Sequence, residues 1–524
     1  MSGQPNIRSA SLAAICDGVI DREQLGDSAE LLVNGLALDS RKVAKGDVFI
    51  ALKGARVDAG ALIDDALRAG ASVVLLDADS AADCKQDKVL RIADLRRRVG
   101  LLASNFYQHP SQQLNVIGVT GTNGKTTIAY MIASLKRMLG ENVGLIGTLG
   151  AGVLDAGVLD DGVVQDVSGD DIFSQLIDTQ HTTPDALMLQ QTLNAFVQRG
   201  CRSAVLEVSS HALDQGRANG IAFDVAVFSN LTRDHLDYHG NMASYAEAKQ
   251  KLFAVSTLRA AVVNRDDEYA EAMVDNIGQQ TRVLRYALND STADISAHNI
   301  ASNAYGTTFE LRCFGRTLTV STRYLGEFNV SNLLAAISVL VADDYPLEDI
   351  VANIARLSAV PGRMEVVGLN DFTAPHSRVV IDFAHTPDAL EKVLLELKKL
   401  CTGKLWCVFG CGGDRDQGKR PLMGAVAARH ADVIVITADN PRSESVDSII
   451  GDIVVGIDDK ANITIHLEAD RAAAIALAIS RCGNQDVVLV AGKGHEKTQI
   501  FADKTEPFSD YHVAEQYLVA RYCA

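Results

Sequence analysis

No stretch of this chain approaches about 18 uninterrupted apolar residues, so nothing in it reads as a membrane-crossing helix. Positive charge is also in short supply. Lys and Arg number 49 against 66 Asp and Glu, which gives a formal charge of −17 and a pI near 5.1. Such a surface repels phosphate backbones and anionic lipid, so general nucleic-acid or membrane-surface binding is excluded, while a small anion in a local pocket is not. Proline is scarce at 10 residues and tryptophan occurs once, beside 41 glycines. With 47% apolar and 22% charged residues, that is the composition of a globular chain and not a disordered one. The cysteines lack a framework. Nine of them, an odd number, run from Cys16 to Cys523, and the closest pair, Cys407 and Cys411, has neither a matching pair nor nearby histidines. Free buried thiols in a reducing compartment are expected, without zinc. The apolar run Ser11–Cys16 is cut off by Asp17 and is too weak for a secretory signal, so the expected location is cytoplasmic. Fixed-period repeats and low-complexity segments are missing as well.

What is present is length and alternation. At roughly 150 residues per domain, 524 residues suggest three domains. Short β-rich apolar runs alternate with amphipathic helical stretches, which predicts an α/β class with mainly parallel sheets. The polar segment Gln108–Gln113, with Pro110 inside it, reads as one linker and Ala359–Arg363 as a second joint. Domains are expected over 1–110, 111–358 and 359–524. Beyond the second joint come four apolar runs: Val379–Phe383, Leu405–Phe409, Asp432–Ile436 and Asp486–Val490. Each leads at once into a polar or Gly-rich segment: Ala384–Pro387, Gly410–Arg415, Asp439–Arg442 and Gly492–Glu496. Ligands of open parallel sheets bind outside the carboxyl ends of the strands, so these four segments are expected to face one crevice.

The strongest motif is Gly118-Val-Thr-Gly-Thr-Asn-Gly-Lys-Thr-Thr127, between an apolar run and a helical stretch. Strand, glycine-rich loop and helix form a phosphate cradle, in which backbone N–H groups wrap the phosphates. Lys125 would reach the β and γ oxygens and the Thr126 hydroxyl a Mg²⁺ ion. The spacing is GxxGxxGKT, one residue longer than the usual loop. Glu207 ends the apolar run from Ser203, where P-loop enzymes hold their metal, although a surface carboxylate would look the same. His235 and His239 are expected on one helical face; without an HExxH pattern, one histidine on Mg²⁺ or substrate fits better than a zinc pair. Lys249, in Tyr245–Phe253, reads by itself as a solvated helix lysine.

The segments GxxGTNGKTT, EVSSHAL, NLTRDHLDYH, GEFNVSN, DFAHTPDAL, GCGGDRDxGKRP, DNPR and GKGHE, in that order, resemble the Mur ligases of peptidoglycan precursor synthesis. The resemblance runs from Leu38 to Glu496. It implies an N-terminal UDP-binding α/β domain, a central P-loop ATPase and a C-terminal Rossmann-like domain. The implied reaction adds meso-diaminopimelate to UDP-MurNAc-L-Ala-D-Glu, with ATP and Mg²⁺. Leu38, Ser40 and the loop Ala55-Arg56-Val57 fall where the family meets the UDP end, although Asp58-Ala-Gly60 departs from the family pattern. Thr182, Thr183, Ser209, Gln215, Arg217 and His385 match positions around the muramoyl-dipeptide. Gly121, Thr122, Asn123, Gly124, Lys125, Thr126 and Thr127 match the ATP loop, with Asn329, Asn332 and Arg363 on the nucleotide side. Lys249 matches a lysine that the family carbamylates with CO₂, turning a cation into a metal ligand beside Thr126, Glu207 and His235. Arg415, Asp439, Asn440, Pro441, Arg442, Gly492 and Glu496 match the diaminopimelate site. Phe383 stands where a Tyr is expected.

ATP would convert the D-Glu γ-carboxylate into an acyl phosphate that the diaminopimelate amine attacks, so no Ser or Cys nucleophile is needed. Lys125, Lys249, His235 and Glu207 are the expected catalytic groups, working in a monomer. Three rivals remain: folylpolyglutamate synthase, a lysine-adding Mur enzyme, and a P-loop switch or motor carrying a binding module. A dehydrogenase fails because Gly410–Arg415 lacks the GxGxxG turn.

Overall fold

The computed structural model describes residues 9–53, 59–82, 87–156, 176–177, 179, 181–303, 306–368, 378–458 and 463–522. Three α/β layers follow one another along the chain. The first is a four-stranded parallel sheet of β1 (Leu36–Ala37), β2 (Val48–Ala51), β3 (Val73–Asp77) and β4 (Val89–Ile92), in that order. Every residue of β2 and β3 is buried, as strands covered on both faces must be.

The central sheet has ten strands: β5 (Asn115–Thr120), β6 (Val143–Gly147), β7 (Gly150–Leu154), β8 (Ser203–Glu207), β9 (Val225–Phe228), β10 (Ala260–Asn264), β11 (Arg282–Ala287), β12 (Ile295–Asn303), β13 (Gly306–Cys313) and β14 (Arg316–Thr322). Their order is β14-β13-β12-β11-β10-β9-β5-β8-β6-β7. Pairing is parallel from β12 to β6, with antiparallel strands only at the two edges. Helices Lys125–Met138 and Glu327–Ala342 cover one face with residues such as Ile128 and Leu333, and Ala186–Gln198 and Met242–Phe253 cover the other with Leu193 and Leu252. Each fully buried Leu or Ile contributes about 1.5–3 kcal/mol. β5 lies between β8 and β9, so its carboxyl end opens at the middle of the sheet. A Cβ on its Gly118 would meet the Phe223 ring at 2.8 Å, which is why this central strand carries a glycine.

The third sheet joins β15 (Glu365–Val366), β16 (Arg378–Asp382), β17 (Leu405–Phe409), β18 (Val433–Ile436), β19 (Thr464–Leu467) and β20 (Val487–Ala491) in the order β15-β16-β20-β17-β18-β19, parallel except for β15. The four apolar runs read from the sequence are therefore adjacent parallel strands, and their polar segments share one sheet edge.

Gln108–Gln113, the segment read as a linker, is an ordered turn. His109 is left-handed, Pro110–Gln113 is a 3₁₀ turn, and buried Ser111 accepts a hydrogen bond from the Ala222 N–H at 3.0 Å. The proline starts that turn and does not interrupt packing. The seven described cysteines are free, and burial pushes the Cys411 thiol up to about 12. Among the described residues, no helix is long and apolar enough to cross a membrane.

Candidate active site

β5 ends at Thr120 and the chain turns through Gly121–Gly124 into the helix Lys125–Met138. Gly121 and Gly124 have φ of +147° and +86°. A Cβ would lie 1.9 Å from Ser229 Oγ at the first and 2.5 Å from Asn332 Oδ1 at the second, so bare backbone is required at both. The segment after β9 braces the loop. Thr122 N–H donates to Asn230 O at 2.8 Å, Asn123 N–H to Asn230 Oδ1 at 3.0 Å, and Ser229 Oγ to Asn123 O at 2.5 Å. The result is an anion cradle at a helix N-terminus.

Two lysines converge on one carbonyl of this loop. Lys125 Nζ donates to Gly121 O and Thr122 O at 2.9 Å, and Lys249 Nζ donates to Gly121 O at 2.8 Å. Lys249 is 1% exposed, so the solvated alternative does not hold. Burial drives its pKa well below the usual lysine range; Lys125 adds to the shift and Asp234 opposes it. The amine also lies over the Tyr245 ring.

Glu207 ends β8, buried beside the same loop. Its Oε2 accepts from Thr126 Oγ1 at 2.9 Å and Thr148 Oγ1 at 3.0 Å, and its Oε1 from Thr148 N–H at 2.8 Å. This donor set is all oxygen, which suits a hard ion such as Mg²⁺. Arg363 crosses from the third layer, donating to Thr126 Oγ1 at 3.2 Å while stacking on Phe383 at 4.3 Å. Phe383 also packs against His385 at 4.6 Å, so the ring expected of a Tyr serves without its hydroxyl. Buried Asn332 donates to Asn329 Oδ1 at 3.2 Å on the far side of Gly124.

His235 departs from the helical expectation. It precedes the four-residue helix Leu236–His239 with φ +54°, its N–H donating to Asp234 Oδ1 at 2.9 Å. Its ring meets His211 edge-on at 4.8 Å, while the His239 Nε2 pairs with Ser210 Oγ at 2.9 Å. Both rings also contact His211 and Tyr245, so the two histidines belong to one aromatic cluster although only His239 bonds Ser210. Burial lowers His235 to about 4, against the pull of Asp234. Among the described residues, no three His, Cys, Asp or Glu side chains form a metal cluster.

Thr182, Thr183, Ser209, Gln215 and Arg217 gather beyond β8. Thr183 Oγ1 donates to Glu207 O at 2.9 Å and accepts from Ser209 N–H at 3.0 Å. Arg217 donates to Thr183 O at 3.0 Å and to Gln215 Oε1, and the Thr182 and Thr148 hydroxyls pair at 3.1 Å. Leu38 and Ser40 follow β1 at the start of a 3₁₀ turn, far along the chain from these groups. Ala55, Arg56 and Val57 lie outside the described residues.

At the edge of the third sheet, Arg442 sits after β18 with φ +51°, its Nη1 donating to Gly413 O at 2.8 Å. A Cβ on Gly412 would touch Arg442 Nη1 at 3.0 Å and Arg415 Cγ at 3.6 Å, so both guanidinium side chains flank that glycine. Asn440 Nδ2 donates to Glu496 Oε2 at 2.8 Å, and a Cβ on Gly492 would strike Asp439 Oδ2 at 2.5 Å. Pro441 O lies 1.9 Å from where a Cβ of Gly413 would stand, locking the loops after β17 and β18 together. Arg420, Arg471 and Thr148 were not singled out from sequence. Arg420 lies inside the GKRP segment, whereas Arg471 and Thr148 sit in stretches with no motif.

A glycine-rich phosphate cradle with two converging lysines, Lys249 buried and Lys125 half-buried, and an acidic strand end, joined to a second α/β sheet edge that carries arginines, defines a nucleotide-dependent enzyme of the P-loop kind. The Mur ligase middle domain matches residues 119–340, the Mur ligase glutamate ligase domain 362–494, and the Mur ligase family catalytic domain 32–107. The chain belongs to the Mur ligase family. It is 43% identical over 504 residues to the UDP-N-acetylmuramoyl-L-alanyl-D-glutamate–2,6-diaminopimelate ligase of Chromobacterium violaceum, covering 95% of this chain and 96% of that one. The enzyme of the same name from Coxiella burnetii is 41% identical, with 95% and 98% covered. A solved structure of a ligase of that name superposes with a TM-score of 0.69 at 35% identity, covering 98% of this chain and 100% of the other.

Proposed function

We propose that the protein is an ATP-dependent ligase that joins meso-diaminopimelate to UDP-MurNAc-L-Ala-D-Glu. The observation that carries this reading is the single constellation at the loop after β5. There Thr126 is bonded both to Glu207 of the central sheet and to Arg363 of the third layer, so the phosphate loop and the third layer meet at one point.

In this reading ATP transfers its γ-phosphoryl group to the D-Glu γ-carboxylate, and the acceptor amine displaces phosphate from the resulting acyl phosphate. The loop amides and Lys125, released from its own carbonyls, hold the phosphates; Asn329, Asn332 and Arg363 hold the nucleoside side. Thr126, Glu207, His235 and a Lys249 carbamate would hold Mg²⁺, which neutralises charge on the transferring group. Burial beside another cation lowers the Lys249 pKa and so favours the neutral amine, the form that reacts with CO₂. Thr182, Thr183, Ser209, Gln215, Arg217 and His385 bind the muramoyl-dipeptide, with Leu38, Ser40 and the 55–57 loop at the UDP end. Arg415, Asp439, Asn440, Arg442, Gly492 and Glu496 take the amino acid, the guanidinium groups gripping carboxylate and Glu496 an ammonium. UDP, ATP and amino acid fall on units 1–110, 111–358 and 359–524. In this reading the enzyme acts as a cytoplasmic monomer.

ADP release measured with each substrate left out in turn tests the proposal. The expected result is release only when ATP, UDP-MurNAc-L-Ala-D-Glu and meso-diaminopimelate are all present. ATP hydrolysis that ignores both acceptors would instead mark a P-loop switch.

A further inference from the structure

Among the buried cations of the third layer, Lys493 stands out by its position. It follows β20 at Gly492 and has no exposed surface. Its Nζ donates to Glu496 Oε2 at 2.7 Å and to Asn440 Oδ1 at 2.9 Å. Asn440 in turn donates Nδ2 to the same Glu496 oxygen at 2.8 Å and accepts the Ile500 N–H on Oδ1 at 3.0 Å. Four hydrogen bonds thus tie together the loop after β18, the loop after β20 and the strand Thr498–Ile500. The tie is asymmetric. Glu496 Oε2 is taken twice, whereas Oε1 has no hydrogen-bond partner among the described residues, and the side chain is 32% exposed. A carboxylate with one oxygen anchored inside the protein and the other free at the surface is oriented before any ligand arrives.

We propose that Lys493 is a positioning residue for the amino-acid acceptor: by anchoring Glu496 Oε2 it turns Oε1 toward the crevice, to receive the ammonium of the acceptor that is not acylated. The proposal rests on the acceptor site described above. Lys493 cannot touch the acceptor itself, because it is buried behind Glu496 and Asn440. Arg442 and Arg415 flank Gly412 at the same edge, and Glu496 is close enough to act electrostatically on Arg442, so one amino-acid centre can meet positive charge for its carboxylate and negative charge for its ammonium. Without Lys493, Glu496 Oε2 keeps only the Asn440 amide and its orientation loosens.

The test compares kcat/KM for meso-diaminopimelate with that for 2-aminopimelate, which lacks the second amine, in the wild type and in Lys493→Met. The wild type should prefer the diamine. Lys493→Met should lose about tenfold or more of that preference through KM for the diamine, with KM for ATP and for the UDP-dipeptide within about twofold. In a Glu496→Gln background the same substitution should change the preference by less than about twofold. Lys493→Gln, which keeps a donor and the approximate volume, should fall between wild type and Lys493→Met, and it carries the comparison if the methionine variant does not fold. An equal loss for both amino acids, or an undiminished effect in the Glu496→Gln background, overturns the positioning role. A wild type that does not distinguish the two amino acids removes the acceptor-site reading beneath it.

Discussion

Lys249 marks both the reach and the limit of reading single residues. Its helix Met242–Phe253 carries Lys249 and Lys251 two positions apart, and the sequence treats them alike. Packing separates them: Lys251 stays 44% exposed and pairs with Asp214, whereas Lys249 is buried against Gly121 O. Only the resemblance singled it out, because nothing in local spacing reports which face of a helix turns toward a loop 128 residues away. Glu207 was legible as a strand-end carboxylate, but its partner Thr148 was not, since one threonine in Gly147–Gly150 makes no pattern. If Lys249 carries a carbamate at the metal side of the loop, Lys249→Ala should lower ligation by at least about a hundredfold. A short-chain carboxylate in the assay should restore part of the rate; full activity of the variant in CO₂-free buffer would sink the assignment.

At the scale of elements, β5, β8 and the strands β16, β17, β18 and β20 were readable because buried parallel strands are unbroken apolar runs closed by polar turns, whereas the half-exposed antiparallel β12–β14 were not. The supports between elements were not. Arg471 and Asp510 form a wholly buried pair joining the helices Arg471–Arg481 and Asp510–Tyr522. Arg471 also donates to Ala438 O at 3.0 Å and Ala491 O at 2.9 Å, the carbonyls just before Asp439 and Gly492. Asp510→Ala would strand a buried guanidinium and should cost about 3–5 kcal/mol, read by urea denaturation. A change below about 1 kcal/mol would show the pair to be dispensable. Glu444, behind Arg442, is a second support. Its bonds to Arg420 hold the carboxyl near 2, down from 4.5. A depressed carboxyl stabilises the fold above its unfolded pKa and loses that contribution as pH falls toward 2. The melting temperature of Glu444→Gln should therefore lie below wild type at pH 7 and approach it near pH 2. A constant difference across that range would point to lost packing instead of charge.

For the whole molecule, the link between central and third layers is made by a few side chains. Asp388, at the start of the helix Pro387–Leu400, accepts from Asn123 Nδ2 of the phosphate loop at 2.9 Å and from Thr232 at 3.3 Å, and Arg363 reaches Thr126. These contacts tie the third layer to the glycine-rich loop, and they join residues more than 150 positions apart, which no single-sequence pattern encodes. Three-layer organisation was readable from length and alternation; the meeting point was not.

The central claim is that this edge serves an amino acid with two charged ends, and the discriminating group is Arg442. Lysine lacks the distal carboxylate that a guanidinium grips, and losing a desolvated charged hydrogen bond costs about 2–4 kcal/mol. The direct measurement is kcat/KM for meso-diaminopimelate and for lysine, on the unmodified enzyme and on Arg442→Ala. The expected result is a preference for diaminopimelate of about 30- to 1000-fold that Arg442→Ala largely removes. Comparable values for the two amino acids on the unmodified enzyme would contradict the account.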